Sequence, residues 1–268
     1  MTQQMKARNP LTGVEDYTFE VADDAAVRAA CETVRHAAPA WQQLGVAGRS
    51  AALRELCVAF ATHRAELQRA LEQDTGRHRI AAIEIAAVDG MIQAAIANAV
   101  EVFGHGAERP SMIPGIAGRT QLVPYPVVGV IAPWNFPIVL SMIDLIPALA
   151  AGCGVVLKPS EVTPRYVEPL RKLIAAVPAL RDVVLIVLGP GSTGASLIDH
   201  VDAVVCTGSV RAGRLVAEHA AKRFIPAFLE LGGKDPAIVT AGADLDRAAT
   251  AVVRASLLAT GQDRKSVV

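Results

Sequence analysis

Aromatic residues are scarce in this chain: six Phe, three Tyr and two Trp, or 4% of 268 residues. So few rings argue against a base-stacking surface for nucleic acid. An excess of either charge is also missing, with 26 Lys and Arg against 26 Asp and Glu. No basic field is therefore available to hold nucleic acid or an anionic membrane. Cysteine is limited to Cys31, Cys57, Cys153 and Cys206, far apart and without a Cys-x-x-Cys pair. That spacing speaks against a disulfide framework and for a reducing, cytoplasmic setting. The six histidines are scattered, so no metal site is expected. The opening residues, Met1 to Arg8, lack the apolar core of a signal peptide.

What is abundant is apolar surface, 52% of residues, enough for one large core or two smaller ones. Residues 127–157 are almost wholly apolar and long enough to cross a bilayer. Pro133, Pro137 and Pro147 punctuate that stretch, and Asn135 and Asp144 would be costly in lipid. A buried strand, a turn and a buried helix are expected there instead.

The first third reads as amphipathic helices. Asp23 and Asp24 can cap a helix running to residue 43, with Val27, Ala30, Val34 and Ala38 at helical spacing. A second run spans 48–73 and a third 80–103, the latter interrupted by Gly90. Residues 108–118 are turn-rich. From residue 120, strands are expected at 121–127, 128–132, 154–157, 183–188, 203–206, 224–231 and 237–239. Helices are expected between them at 137–151, with Pro164 in the first turn of the next, at 195–200 and at 210–222, with a last one at 245–260. Alternation of this kind predicts an α/β fold, a doubly wound, mostly parallel sheet with right-handed crossovers.

Five strings carry the chemistry. Gly189-Pro190-Gly191-Ser192-Thr193-Gly194 matches G-x-G-x-x-G, but the next strand ends in Val204-Val205-Cys206, without the acid that the dinucleotide fingerprint wants. An ordinary turn is the competing reading. Thr207-Gly208-Ser209 opens a helix whose free N–H groups suit a phosphate, or is a plain serine cap. Lys158-Pro159-Ser160-Glu161 follows a buried strand, where open α/β sheets bind ligands; alone it could equally be solvated surface. In Pro133-Trp134-Asn135-Phe136-Pro137, a buried Asn135 needs partners, and its amide is a suitable oxyanion donor. Glu230, before Leu231-Gly232-Gly233-Lys234, ends an apolar strand; if buried it would have a raised pKa and could serve as a general base.

These strings, with Thr260-Gly261-Gln262 near the end, resemble the NAD(P)-dependent aldehyde dehydrogenase superfamily over residues 9–262. The resemblance implies the family's N-terminal, cofactor-binding part: a Rossmann-like domain with N-terminal helices at 1–230, an oligomerisation arm at about 119–128, and the start of the catalytic domain at 231–262. It implies oxidation of an aldehyde to a carboxylic acid through a cysteine thiohemiacetal, with Asn135 stabilising the oxyanion and Glu230 activating water. Cofactor contacts are implied at Ile131, Trp134, Lys158, Ser160, Glu161, Gly191, Gly208, Ser209 and Leu231. Glu161 accepting ribose hydroxyls leans toward NAD, with NADP possible. The complete enzyme is expected to be a homo-dimer or tetramer acting on a small-molecule aldehyde.

The family's reactive cysteine follows the Gly-Gln pair one residue on, which is position 264, and Arg264 stands there. A guanidinium has donors only and cannot attack a carbonyl. The expectation is that this chain by itself is an inactive fragment. Two alternatives are a non-catalytic dinucleotide-binding module and an acylating semialdehyde dehydrogenase relative; Glu230 speaks against the latter. The tail 263–268 departs from the family pattern. Its six residues are the translation of GATCGGAAGAGCGTCGTG, one frame of a widely used sequencing adapter. That match predicts a natural chain continuing with cysteine at 264; a genuine frameshift or truncation is the alternative.

Overall fold

In the computed structural model, which describes residues 3–103, 108–119 and 121–262, the chain opens with a hairpin rather than a helix. β1 (Gln4–Arg8) and β2 (Glu15–Glu20) pair antiparallel, and only Ala7 and Phe19 of the two strands are buried. α1 (Asp24–Gln43) follows the expected span, its first turn capped by the Asp23 carboxylate, which accepts from Ala26 N–H. It buries Val27, Cys31, Val34, Ala38 and Trp41.

The long run expected at 48–73 is two helices, α2 (Gly45–Thr62) and α3 (Arg64–Thr75), broken at His63. The apolar stripe continues across the break through Leu53, Phe60, Leu67 and Leu71, all buried, so periodicity alone does not reveal it. α4 (His78–Phe103) runs unbroken through Gly90. Space beside Gly90 is open, and a helix tolerates a lone surface glycine at modest cost. Among the described helices α4 alone has the length and apolarity to cross a membrane. It packs on α2 and α3 and buries Ile85, Val88, Ile92 and Ile96.

The turn-rich segment contains an antiparallel ribbon, β3 (Glu108–Pro110) with β4 (Ala117–Arg119). The strand expected at 121–127 is absent: residues 121–126 form none, and pairing starts at β5 (Val127–Ile131). Pro124 and Pro126 offer no N–H to a ladder, which accounts for the delay. From here the α/β alternation holds. β6 (Gly154–Lys158) follows α5 (Pro137–Ala151), and β7 (Val184–Ile186) follows α6 (Val167–Ala175). Then come α7 (Gly191–His200), β8 (Ala203–Gly208), α8 (Val210–Arg223), β9 (Ala227–Leu231) and α9 (Leu245–Leu257). Residues 237–239, expected as a strand, form no element; Ile238 is exposed and has no neighbouring strand to pair with among the described residues.

Strands β5 to β9 form one parallel sheet in the order β7-β6-β5-β8-β9. Because successive side chains point to opposite faces, strands β5, β6 and β8 feed two cores. Val127, Val156, Val204 and Cys206 join α1, α7 and α8 on one face. Val128, Val130, Val155 and Leu157 join α2 to α6 on the other. The sheet is therefore doubly wound, as expected. The strand order reverses between β5 and β8, and a crevice opens at the carboxyl ends of strands at such a point.

Candidate functional site

Lys158 is the last residue of β6 and is buried, and its Nζ donates to Glu161 Oε2 at 3.1 Å. Burial of the lysine makes this pair more than a solvated surface contact. The pair lies on a cleft of about 590 Å³ whose walls include Ile131 of β5, Gly191, Gly194 and Ile198 of α7, Cys206 of β8, and Val216 and His219 of α8. A Cβ on Gly194 would stand 3.6 Å from Ile131 Cδ1 and 3.9 Å from the Lys158 chain, filling the space between helix and sheet. Gly191 faces open space in the same wall. Gly189 serves close packing instead. A Cβ there would lie 2.2 Å from Thr193 Oγ1, which donates to the Ala22 carbonyl at 3.1 Å.

Five other residues expected to contact the cofactor lie outside these walls or beside them. Ser160 is buried and its Oγ accepts from Val162 N–H at 3.3 Å, shaping the turn that carries Glu161. Gly208 ends β8, and Ser209 is the N-cap of α8, its Oγ accepting from Ala212 N–H at 3.1 Å. Leu231 presses on α8, where a Cβ on Gly213 would come within 2.3 Å of its Cδ2. Trp134 is 42% exposed in the turn after β5.

Asn135 is buried and hydrogen-bonded at both ends. Its Nδ2 donates to the Gln262 carbonyl at 2.6 Å, and its own carbonyl accepts from Arg77 Nη2. Glu230 differs from expectation, for it is exposed rather than buried. It sits on β9, the edge strand, whose residues alternate between half-buried and exposed. Arg264 lies outside the described residues.

Two buried carboxyl groups, Glu84 and Asp74, carry no motif in the sequence. Glu84 on α4 accepts from Ile138 and Val139 N–H at 3.1 and 3.3 Å and pairs with Arg77 at 3.6 Å. Burial pushes its carboxyl up to about 7, against the pull of those N–H groups and the guanidinium. Asp74 accepts from the Arg165 guanidinium and from Arg165 and Tyr166 N–H, and burial likewise pushes it up to about 7. A signal for Glu84 existed: it falls on the apolar stripe with Ile80, Ala81, Ile85 and Val88, where a carboxylate must find partners.

All four cysteines are free thiols. Cys206 borders the cleft, but burial pushes its thiol up to about 11, so little nucleophilic thiolate exists at neutral pH. Among the described residues no group of three or more His, Cys, Asp or Glu side chains could hold a metal.

A doubly wound parallel sheet with a ligand-sized cleft at its switch point is the open α/β architecture that binds ligands at the carboxyl ends of its strands. The chain belongs to the aldehyde dehydrogenase family, whose model matches residues 1–265. A protein of Mycolicibacterium smegmatis, provisionally named succinate-semialdehyde dehydrogenase (NADP+), is 38% identical over 256 residues, covering 94% of this chain and 49% of that protein. The structure of the provisionally named aldehyde dehydrogenase PutA from Anabaena variabilis matches with a TM-score of 0.95 at 48% identity, over 99% of this chain and 56% of that one. An NAD-dependent benzaldehyde dehydrogenase from Corynebacterium glutamicum matches with a TM-score of 0.90 at 33% identity, over 99% and 59%. The chain thus spans about half the length of the curated relatives it matches.

Proposed function

We propose that this chain supplies the dinucleotide-binding part of an oxidoreductase that converts an aldehyde to a carboxylic acid with NAD or NADP. The observation that carries the reading is the buried Lys158 paired to Glu161 in the wall of the cleft. A carboxylate there accepts both hydroxyls of a ribose, and the lysine orients it. Ile131, Ile198 and Val216 offer apolar walls to an adenine, and the space left by Gly194 admits it. Gly208 and Ser209 lie at the N-terminus of α8, where backbone N–H groups favour a pyrophosphate. Trp134 and the Leu231 backbone complete the path toward the nicotinamide, which supplies hydride acceptance when bound.

Within the same reading, the Asn135 amide donates to the oxyanion formed from the aldehyde. Glu230 takes a proton from the attacking water, and its exposed place on β9 gives water access to it. The nucleophile is none of the four cysteines present, and the family's spacing gives it position 264, so catalysis belongs to the complete protein. A reducing, cytoplasmic setting agrees with the four free thiols. Assembly as a homo-dimer or tetramer belongs to the complete protein too.

Titration calorimetry of the chain with each nucleotide tests the proposal. NAD binds, and NADP binds about tenfold or more weakly, because Glu161 repels a 2′-phosphate. Glu161→Gln narrows that gap. Equal or tighter NADP binding by the unaltered chain overturns the role given to Glu161, and no binding of either nucleotide overturns the reading as a whole.

A further inference from the structure

Three segments far apart in sequence meet around one guanidinium. α3 ends at Gly76, whose left-handed backbone (φ +70°) turns the chain so that Arg77 enters the core. Arg77 Nη2 donates to the Asn135 carbonyl, and Nη1 reaches the Ala259 carbonyl at 3.5 Å. The guanidinium also lies 4.7 Å from the centre of the Phe136 ring and 3.6 Å from Glu84 Oε1. Glu84 in turn receives the Ile138 and Val139 N–H groups. Those belong to the first turn of α5, whose own N-cap, Phe136, supplies no side-chain cap. Asn135 closes the circuit through Nδ2 to the Gln262 carbonyl, and Gln262 Nε2 reaches back to the Thr75 carbonyl at 3.5 Å.

Stability alone gives a poor account of this arrangement. Taking both charges out of water is costly, and an apolar pair of similar volume is often as stable or more so. The bonding is also incomplete: Arg77 Nε, Glu84 Oε1 and Gln262 Oε1 are buried without a hydrogen-bond partner among the described residues. What the network does provide is geometry. It ties the turn that carries Asn135 to the segment at 259–262, which leads directly to position 264.

We propose that Arg77 and Glu84 are positioning residues that hold the Asn135 amide in fixed alignment with the segment entering position 264. This rests on the reading of Asn135 as the oxyanion donor. A primary amide has two N–H donors. Giving one to the Gln262 carbonyl fixes the direction of the other, so the donor is aimed before substrate arrives and no reorganisation is needed. Glu84 holds the first turn of α5, and Arg77 holds the carbonyl two residues before that helix begins.

The test is nuclear magnetic resonance of the ¹⁵N-labelled chain without nucleotide, with the Asn135 side-chain signals assigned through Asn135→Asp. In Arg77→Met the Asn135 amide signals move toward those of a solvated primary amide, and the Ile138 and Val139 N–H groups exchange about tenfold faster or more. Arg77→Lys restores part of both. The N–H groups of β5 and β6 keep their protection, which separates alignment from global unfolding. Should Arg77→Met fail to fold, Glu84→Ala, which removes the acceptor of the Ile138 and Val139 N–H groups, is read in the same way, and Arg77→Lys shows the same shifts at smaller size. Unmoved Asn135 signals in a folded variant overturn the proposal. Because no nucleotide is present, failure of the cofactor reading leaves this result unaffected; the donor role of Asn135 is read separately, from turnover of the complete protein.

Discussion

Replacing Glu84 by Gln removes a titration while nearly preserving shape, and the structure gives the size and sign of the effect. The carboxyl is all but fully buried, and desolvation raises it from 4.5 to about 7 despite two N–H donors and Arg77. The folded state therefore holds this proton more tightly than the unfolded chain does. Stability from the group is fully present below pH 4.5 and is lost as pH rises through about 7. Over the whole range that linkage is worth about 3 kcal/mol, of which about 2 kcal/mol falls between pH 5.5 and 8.5. Asp74 also loses stabilisation as pH rises, whereas the exposed Asp16, Asp24 and Glu66, lowered by their partners, act in the opposite sense. These groups are common to both proteins and cancel in the difference. Urea unfolding at several pH values measures it: the stability of the unaltered chain minus that of Glu84→Gln falls by about 2 kcal/mol from pH 5.5 to 8.5. Parallel pH curves would refute the reasoning. They would mean that Arg77 and the α5 N–H groups outweigh burial and keep the carboxylate ionised throughout.

Two further outcomes follow from the packing. Asp74→Ala leaves the buried Arg165 and Tyr166 N–H groups without their acceptor and leaves the Arg165 guanidinium with Asp16 as its one carboxylate partner, costing about 3–5 kcal/mol in urea unfolding; a loss under about 1 kcal/mol would show that the existing pair with Asp16 is enough to hold Arg165. Gly154→Ala places a Cβ 2.4 Å from Val34 Cγ1 and 3.0 Å from the Pro126 carbonyl oxygen, costing about 1–3 kcal/mol. An unchanged Tm would mean that α1 shifts on the sheet without penalty.

The sheet and its helices were legible because each βα unit carries its own local marks. Asp23 caps α1, Gly152 closes α5 in the left-handed region, and the strands of the sheet centre are apolar on both faces. What escaped was decided by neighbours. The N-terminal hairpin buries only Ala7 and Phe19, too few positions for a period-two pattern to stand out. The α2–α3 break hides because Leu53 to Leu71 keep one stripe across it. Ala237 to Val239 look like a strand by composition, yet a strand exists only where another chain segment accepts its hydrogen bonds.

The site divides along the same line. Lys158, Glu161 and Gly191 each stand in a short string whose chemistry is local, and the fold brings the three to one cleft. Glu230 was misjudged as buried because Phe228 and Leu229 beside it are apolar. Apolar neighbours show that one face of a strand is covered, not which face, and not whether the strand is central or at the edge. β9 is an edge strand, so Glu230 meets water. Arg77, Glu84, Asn135 and Gln262 pose the reverse problem. Arg77 and Asn135 are 58 residues apart, and Asn135 and Gln262 are 127 apart, so no window contains the contact. Only one sign of it survives in one dimension, a glutamate on the buried stripe of α4. Such a residue says that a cation must be near, and here the nearest one is the arginine that also grips the Asn135 turn. A lone acid in an apolar stripe is thus an indirect pointer to the Asn135 turn, reached through the arginine beside it.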